Sequence, residues 1–339
     1  MSRKIGLVDF YDLLQVSPFA SQRVIDAAYR AILRGSNTSD TQKIVDAYQF
    51  LSDSARREKY DEERMHLEGK VINGQYQIQS LIAQGAIGEV YKAVDLDVDE
   101  PVCIKHCSKI SEEGAEILLD EVKALWNLRH YSLPAMRRLL KMKDGTTAIV
   151  MSYISGPTWA EVIEKNGAMH PEHVTWLAER ILNALRFIHL QAGLIHGDVK
   201  PEKIILQPEK IMAVLVGFEF SLTKPDSNTR SKGFSEIFSS LEATEGMPLL
   251  PASDLYSLGM TMIYALNGDL EETKKRIVPE STPDPLCDFI KRLTVEDVRE
   301  RPSWEDEDLC ETLYDIKVKS FGKKSRIKPI PWQTPKQED

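Results

Sequence analysis

The period with which apolar residues recur changes along this chain, and that change limits the folds that the chain can adopt. Residues 9–62 carry short helical patterns, whereas strand-like apolar runs occupy 76–107. From about residue 112 the helical period dominates, with amphipathic patterns at 112–128 and 173–189. The sequence therefore predicts an α+β protein in which a small helical module precedes a strand-rich half and then a helix-rich half.

Composition and charge restrict the classes of function. The 339 residues are 42% hydrophobic and 28% charged, as in a globular protein, and the net charge of -9 gives no overall attraction for nucleic acid or an anionic membrane. No apolar run reaches the roughly 18 residues that cross a bilayer, and the start of the chain lacks the apolar stretch of a signal peptide. We therefore expect a cytoplasmic protein. The cysteines are spaced neither as a metal-binding pair nor as a disulfide framework, so we expect them to be free thiols. They are Cys103, Cys107, Cys287 and Cys310.

Two glycines in the strand-rich half are spaced as in a phosphate-binding turn. Gly85 and Gly88 lie between strand-like runs, where the absence of Cβ lets backbone N–H groups approach a polyphosphate, although an ordinary β-hairpin can carry the same pattern. Lys105 ends an apolar run 20 residues after Gly85. A buried ammonium there needs a carboxylate to stay charged, and Glu121 on the next predicted helix supplies one.

This ordered set resembles the small lobe of protein kinases, including the Val-x-Ile-Lys motif at 102–105. A more specific match is Ile-His-Gly-Asp-Val-Lys-Pro-Glu-Lys at 195–203, which resembles the catalytic loop of that family. The resemblance covers about residues 76–315 and implies a two-lobed, kinase-like fold. It also implies that Asp198 accepts the proton of a substrate hydroxyl and that Lys200 steadies the transferred phosphoryl group.

The same resemblance implies a nucleotide site, with ATP as the expected nucleotide. Residues 151–156 match the hinge whose backbone hydrogen-bonds an adenine. The residues implied to contact or support the nucleotide are Gly85, Gly88, Val90, Lys105, Glu121, Met151, Tyr153, Lys203 and Ile205.

Two positions that hold metal in protein kinases are changed. Lys203 stands in place of the Asn of the catalytic loop, and Gly217 stands in place of the Asp of the Asp-Phe-Gly motif. Mg²⁺ requires oxygen ligands, which neither side chain provides, and this puts Mg²⁺ binding in question. Glu219 is a weak candidate for an alternative metal ligand, because a Glu in a loop is more commonly solvated. Lys203 can instead bring its own positive charge to the phosphates of a nucleotide. Gly197 replaces an Arg that would hold a phosphorylated activation loop.

The positions that stabilise a kinase fold are better kept than those that bind metal. By the same resemblance, Asp254 anchors the catalytic loop and Arg301 pairs with the carboxylate of Glu242. Three further residues are expected to stack between the lobes: Leu125, His196 and Phe218.

Residues 1–66 resemble a J domain, the helical co-chaperone module, most clearly in the Leu-Ser-Asp…Arg…Tyr-Asp signature at 51–61. The His-Pro-Asp tripeptide that J domains present to Hsp70 is absent, and residues 35–40 take its place. A generic three-helix adaptor is the alternative interpretation. We therefore expect docking to a protein partner without stimulation of Hsp70.

The sequence predicts the following order of domains: a J-like module at 1–66, a linker at 67–75, a kinase-like domain at 76–315 with lobes at 76–152 and 153–315, and a basic, Pro-containing tail at 316–339 in an extended conformation. The charge of the tail suits an acidic partner or a nucleic acid, but solvated terminal charge is the commoner case.

The functional hypothesis is a pseudokinase that acts as a signalling scaffold or allosteric regulator through protein partners and binds ATP. The alternative is an active Ser/Thr kinase that transfers the ATP γ-phosphate with an unusual metal arrangement. Hsp70 co-chaperone action ranks third.

Overall fold

The structure, a computed structural model, describes most of the chain in two compact units. One unit comprises residues 1–109 and 139–148, and the other comprises 110–138 and 149–339. The described residues are 10–16, 20–35, 41–65, 67–85, 88–108, 118–119, 122–123, 125–142, 145–207, 212–226 and 228–323.

The first unit begins with a helical module that has its own apolar core. Its helices are α1 (Phe10–Leu13), α2 (Gln22–Gly35), α3 (Thr41–Leu51) and α4 (Ser54–Met65). The rings of Tyr29 and Tyr48 stack with centroids 3.8 Å apart, and Nε of Arg57 donates to the Tyr11 hydroxyl over 2.9 Å. The buried core consists of Tyr11, Leu14, Ile25, Ile44, Ala47 and Leu51. Helices were expected here, while the resemblance to a J domain stays a prediction, since residues 36–40 lie outside the described residues.

A mixed-length β-sheet follows the helical module. Its strands are β1 (Val71–Ile72), β2 (Tyr76–Gly85), β3 (Gly88–Asp95), β4 (Glu100–Cys107), β5 (Met136–Lys141) and β6 (Thr147–Ser152), in the order β1-β2-β3-β4-β6-β5. The pairs β1–β2, β2–β3 and β3–β4 are antiparallel, and Tyr91 of β3 lies opposite Ile104 of β4. Burial of alternate residues along β3 matches the period of two seen in the sequence.

The predicted linker at 67–75 is wrong in part, because this stretch packs on the sheet. The N–H of Leu67 donates to the Tyr91 hydroxyl over 3.3 Å, and Leu67 and Ile72 are buried. Strand β1 lies within the predicted linker and pairs with β2. The two glycines that suggested a linker, Gly69 and Gly74, both adopt positive φ in the turns on either side of β1.

The second unit is mainly helical. Its helices are α5 (Trp159–Asn166), α6 (Pro171–Phe187), α7 (Leu241–Thr244), α8 (Pro251–Asn267), α9 (Leu270–Lys274), α10 (Asp284–Leu293) and α11 (Leu309–Phe321). A π-helical turn (Ile188–Ala192) extends α6. Two short antiparallel pairs follow, β7 (Leu194–Ile195) with β10 (Leu222–Thr223) and β8 (Ile204–Gln207) with β9 (Met212–Leu215). A 3₁₀ turn (Pro201–Lys203) lies between β7 and β8.

Helix α8 is the centre of the second unit. Every residue from Ala252 to Leu266 is buried, including the polar residues Ser253, Asp254, Ser257 and Thr261. It packs against α6, α9 and α10, and α11 packs against α6 and α10. Among the described residues, no helix is both long and apolar enough to cross a membrane. All four cysteines are free thiols, as expected.

Two predicted boundaries fall in this unit. The extended tail was expected from residue 316, but α11 continues to Phe321, because Leu309 and Leu313 are buried and Lys317 forms an ion pair with Glu179 of α6. Residues 324–339 lie outside the described residues. Of the helix predicted at 112–128, the described residues 118–119, 122–123 and 125–126 are helical.

Candidate nucleotide and catalytic site

The glycine-rich turn joins β2 to β3 in the first unit. Gly85 lies opposite Gly88, and residues 86–87 between them are outside the described part of the chain. Gly88 has φ +147°, and a Cβ there would come within 1.9 Å of the carbonyl oxygen of His106 on β4. Packing against a neighbouring strand is thus a sufficient reason for glycine at this position, independent of the phosphate approach that the sequence suggested.

Lys105 lies in the first unit on β4, opposite Val90 of β3. The lysine is buried, with 7% of its surface exposed. Glu121, its predicted partner, lies outside the described residues, so the ion pair stays a prediction. The remaining predicted site residues belong to the second unit, where Met151, Tyr153 and Ile205 are half-buried.

The catalytic loop of the second unit is held by Asp254 of α8. Its carboxylate accepts hydrogen bonds from the backbone N–H groups of His196 (2.7 Å) and Gly197 (2.9 Å) and from Nε2 of His189 (2.8 Å). Burial alone would raise the pKa of Asp254, but the hydrogen bonds from His189 and from the backbone N–H of Gly197 outweigh it and leave that pKa lowered. The predicted anchoring role of Asp254 is confirmed.

His189 is itself oriented by Trp304. The indole Nε1–H of Trp304 donates to Nδ1 of His189 over 2.9 Å. Because an indole N–H only donates, Nδ1 accepts and the proton on Nε2 points at Asp254. A chain of hydrogen bonds thus runs from the half-buried Trp304 through the buried His189 and Asp254 to the backbone of the catalytic loop.

His196 connects this loop to the segment that follows β9. Its Nε2–H donates to the carbonyl of Val216 (3.1 Å), and its Nδ1 accepts from the backbone N–H of Asp198 (3.2 Å). Burial lowers the pKa of His196, outweighing the nearby carboxylates of Asp254 and Asp198. The ring meets that of Phe218 edge to face with centroids 4.7 Å apart, which confirms one contact of the predicted stack; the third member, Leu125, is buried.

Asp198 and Lys200 are brought together by Ser235. Nζ of Lys200 donates to Oγ of Ser235 (2.7 Å) and lies 2.9 Å from Oδ1 of Asp198, and the Ser235 hydroxyl donates to that same Oδ1 (2.9 Å). The Asp198 carboxylate is only 5% exposed. A buried carboxylate oriented by a hydroxyl and an ammonium has the geometry needed to accept a proton.

Lys203 fills the space beside Gly217. A Cβ on Gly217 would lie 2.5 Å from Cδ and 2.8 Å from Nζ of Lys203, and Gly217 has φ +81°. The Lys203 ammonium pairs with Glu219 over 3.2 Å, with the two side chains 25% and 18% exposed. Glu219 is therefore the partner of a lysine and not a solvated loop residue.

This donor set does not fit Mg²⁺. The ion needs several oxygen ligands in octahedral geometry, yet the Glu219 carboxylate is held by Lys203 and the Asp198 carboxylate by Lys200 and Ser235. A cation placed between them would also lie beside the Lys203 ammonium and be repelled by it. Within the described ranges, no group of three or more acidic, His or Cys side chains is arranged to hold a metal ion.

The segment between β10 and α8 is held at its far end by an ion pair. The guanidinium of Arg301 contacts both carboxylate oxygens of Glu242, at 2.6 and 3.1 Å, and Ser253 donates to the same carboxylate over 2.7 Å. The Arg301 guanidinium also lies over the ring of Tyr256, 4.7 Å from its centroid. The predicted Glu242–Arg301 pair is confirmed.

A family model described as the protein kinase domain matches residues 76–313, which is well over half of the chain. The chain belongs to the protein kinase family. Membership implies an ATP site, and the matched region contains every catalytic and nucleotide-site residue named from the sequence.

Curated relatives agree with this assignment. The chain is 28% identical over 254 residues to MAP3K epsilon protein kinase 1 of Brassica napus, which covers 69% of this chain and 19% of the relative. It is 27% identical over 213 residues to the serine/threonine-protein kinase pkn3 of Myxococcus xanthus, an alignment that covers 59% of this chain and 39% of the relative. It is 29% identical over 210 residues to the serine/threonine-protein kinase PrkC of Bacillus subtilis, with 60% of this chain and 32% of the relative covered. The chain thus spans less than two fifths of the length of these relatives.

Two residues that build the kinase site were missed from the sequence. Ser235 bonds to a catalytic loop 37 residues earlier, and Trp304 bonds to His189 across 115 residues. Neither stands in a motif that predicts its partner, so the sequence carried no usable signal for them.

Proposed function

We propose that this kinase-family chain is a pseudokinase, a scaffold or allosteric regulator that binds ATP without metal-assisted phosphoryl transfer. The observation that carries the proposal is the Lys203–Glu219 ion pair beside Gly217, where the family motifs have two metal ligands. In protein kinases metal ions bridge the β- and γ-phosphates and neutralise the charge that develops during transfer. An ammonium supplies charge for binding polyphosphate but no ligand geometry for transfer.

The nucleotide-binding part of this proposal is supported by what each unit keeps. Lys105 and the glycine-rich turn are present in the first unit, and Lys203, Met151, Tyr153 and Ile205 are present in the second. The catalytic loop keeps its anchors to Asp254, so its backbone is held without a metal. ATP is therefore expected to bind in its metal-free form, with Lys203 exchanging Glu219 for a phosphate oxygen.

A phosphotransfer assay with Mg²⁺ or Mn²⁺ tests the catalytic half of the proposal. We expect incorporation of labelled phosphate, into the chain itself or a generic protein substrate, no higher than that of the variant Asp198→Ala. Turnover that disappears in both Lys105→Ala and Asp198→Ala would overturn it.

Thermal unfolding with ATP tests the binding half. A ligand at a hundred times its Kd adds about 2.7 kcal/mol, which corresponds to a rise in Tm of about 5–10 °C for a domain of this size. We expect that rise in EDTA and a smaller one with Mg²⁺. Lys203→Asn combined with Gly217→Asp should reverse the preference, whereas Lys291→Asn, at an exposed lysine of α10, should leave it unchanged.

An active Ser/Thr kinase is the second candidate function. The specific observation in its favour is the network of Asp198, Lys200 and Ser235, which keeps the proton acceptor and the phosphoryl-steadying lysine in contact. It also has support from the serine/threonine-protein kinases among the relatives. This candidate predicts turnover with Mg²⁺ or Mn²⁺, and it is excluded if ATP binds but no turnover is detected with either metal.

The helical module is proposed to dock a protein partner as a J-like adaptor. Its support is the independent core of α1–α4 together with the signature at 51–61. The missing His-Pro-Asp tripeptide argues against the third candidate, Hsp70 co-chaperone action. In an Hsp70 ATPase assay the full chain should give no stimulation above the basal rate, and a clear stimulation would restore the co-chaperone hypothesis.

A further inference from the structure

A cavity of about 280 Å³ lies in the second unit beside the segment 236–244. Tyr256 and Met260 of α8 are buried and face it, and Ile237 and Leu241 add apolar surface. Pockets for drug-sized ligands enclose roughly 300–1,000 Å³. This cavity, which we call the α8 cavity, is therefore suited to one or two large side chains of a polypeptide.

Carboxylates and cations both border the α8 cavity, and in each ion pair the carboxylate is the more exposed partner. Lys274 and Arg276 line it, but each is paired with a glutamate that stands further into solvent. Glu271 is 72% exposed against 42% for Lys274, and Glu296 is 64% exposed against 37% for Arg276. Glu236, also on the rim, is exposed. An apolar floor inside a rim of outward carboxylates suits a segment whose apolar side chains are flanked by Lys or Arg.

The C-terminal part of this chain has that composition. Residues 324–332 read Lys-Ser-Arg-Ile-Lys-Pro-Ile-Pro-Trp, with Ile327, Ile330 and Trp332 following or separating the three cations. We propose that this segment docks in the α8 cavity of the same chain. Pro329 and Pro331 restrict the backbone, which lowers the entropy lost on docking, and covalent attachment gives an effective concentration in the millimolar range for a short linker.

The segment is long enough to reach. Helix α11 packs against α10, and α10 packs against α8, so two helix-to-helix steps of about 8–10 Å separate α11 from the floor of the cavity. The nine residues from the end of α11 at Phe321 to Ile330 extend to about 30 Å. This extension exceeds the two interhelical spacings taken together.

Docking would act on the candidate site through the segment that borders the cavity. Ser235, bonded to Asp198 and Lys200, immediately precedes Glu236 on the rim. Glu242, bonded to Arg301, lies further along the same segment. A docked tail thus stabilises the stretch between these two anchors, which makes the tail an internal ligand that regulates the segment.

Hydrogen exchange of the full chain tests the proposal. In the variant Ile327→Asp/Ile330→Asp/Trp332→Asp, backbone amides of 236–244 should exchange about tenfold faster, as expected when a mostly docked segment is released. The matched control Gln333→Asp/Thr334→Asp/Gln337→Asp adds the same charge outside the apolar stretch and should change exchange less than twofold. No acceleration in the first variant, or equal acceleration in both, overturns the proposal.

Charge reversal and cross-linking define the occupant. Glu236→Lys alone and Arg326→Glu/Lys328→Glu alone should each accelerate the exchange of 236–244, and their combination should restore much of the protection.

In a mixture of isotope-labelled and unlabelled full chain, lysine cross-links between the tail and Lys274 or Lys275 should join residues of one isotopic form. Cross-links of mixed isotopic form would assign the cavity to the tail of a second copy and overturn docking within one chain. In the charge-reversal experiment, protection of the 236–244 amides that is lost in the single variants and not restored in their combination would also overturn the proposal.

Discussion

The anchors of the catalytic loop and the positions beside it that bind metal in kinases differ in one physical respect. Asp254 and Glu242 each meet several donors inside the second unit and are almost fully buried. Lys203 and Glu219 pair with each other and keep 25% and 18% of their side chains exposed. Buried groups leave an unpaired charge when a partner is lost, whereas a partly exposed pair can exchange partners with solvent or a ligand.

That difference explains how a kinase fold can persist without kinase metal ligands. None of the donors to Asp254 or Glu242 depends on a metal, so the loop backbone is held by protein groups alone. The Lys203 side chain also fills the space that an Asp at 217 would use. The geometry of the loop is therefore independent of metal binding, and the free energy of unfolding of variants at the two kinds of position tests this independence.

The largest effect is expected for Arg301→Ala. Removing one partner of a buried ion pair costs about 3–5 kcal/mol, and Arg301 also donates to the carbonyls of Val295 (2.6 Å) and Glu296 (2.7 Å). The free energy of unfolding in urea should fall by at least that amount. Arg299→Ala is the matched control, because this side chain is 85% exposed and pairs only with Asp297 among described partners, so its loss should stay within about 0.5 kcal/mol. Equal effects of the two variants would contradict a special role for the buried pair.

A smaller effect with a pH signature is expected for Asp254→Asn. The pKa of Asp254 is lowered in the folded protein, so its carboxylate adds stability that is complete above its ordinary pKa near 3.8 and is lost as pH falls through the lowered folded value. The variant should lose about 2–4 kcal/mol at pH 7. The difference in unfolding free energy between variant and native chain should narrow below about pH 4. A difference that stays constant from pH 7 to pH 3 would show that the charge of Asp254 contributes nothing.

Gly217→Ala tests the crowding between positions 217 and 203. A φ of +81° disfavours any Cβ, and the new methyl would displace the Lys203 side chain, so we expect a loss of about 1–2 kcal/mol. In a Lys203→Ala background only the backbone component should remain, at about 1 kcal/mol. A double-mutant cycle measured by urea unfolding gives the coupling. If the two effects simply add, Lys203 does not occupy the space beside Gly217.

The sequence allowed the anchors to be predicted because they lie in motifs of fixed spacing, as with Asp254 and Arg301. It also gave the helical module and the strand-rich stretch through their hydrophobic periods. What it did not give are contacts that depend on side-chain position across long separations: Ser235 with Asp198, Trp304 with His189, and Lys203 beside Gly217. The tail predicted from residue 316 overlaps α11, because a run of lysines favours a solvated tail in the sequence, whereas Lys317 pairs with Glu179 on a neighbouring helix.

The smallest effect on stability, and the sharpest on ligand binding, is expected for Lys203→Met. Partly exposed ion pairs contribute about 0–1 kcal/mol, so the unfolding free energy of the unliganded variant should change by no more than that. Stabilisation by ATP in EDTA should fall by at least half, since the variant keeps most of the length of the side chain but loses its charge. Glu219→Gln is the matched control: it removes the competing carboxylate and should leave ATP stabilisation equal or larger. Equal ATP stabilisation of native chain and Lys203→Met would separate Lys203 from nucleotide binding and leave it a purely structural replacement for the missing metal ligands.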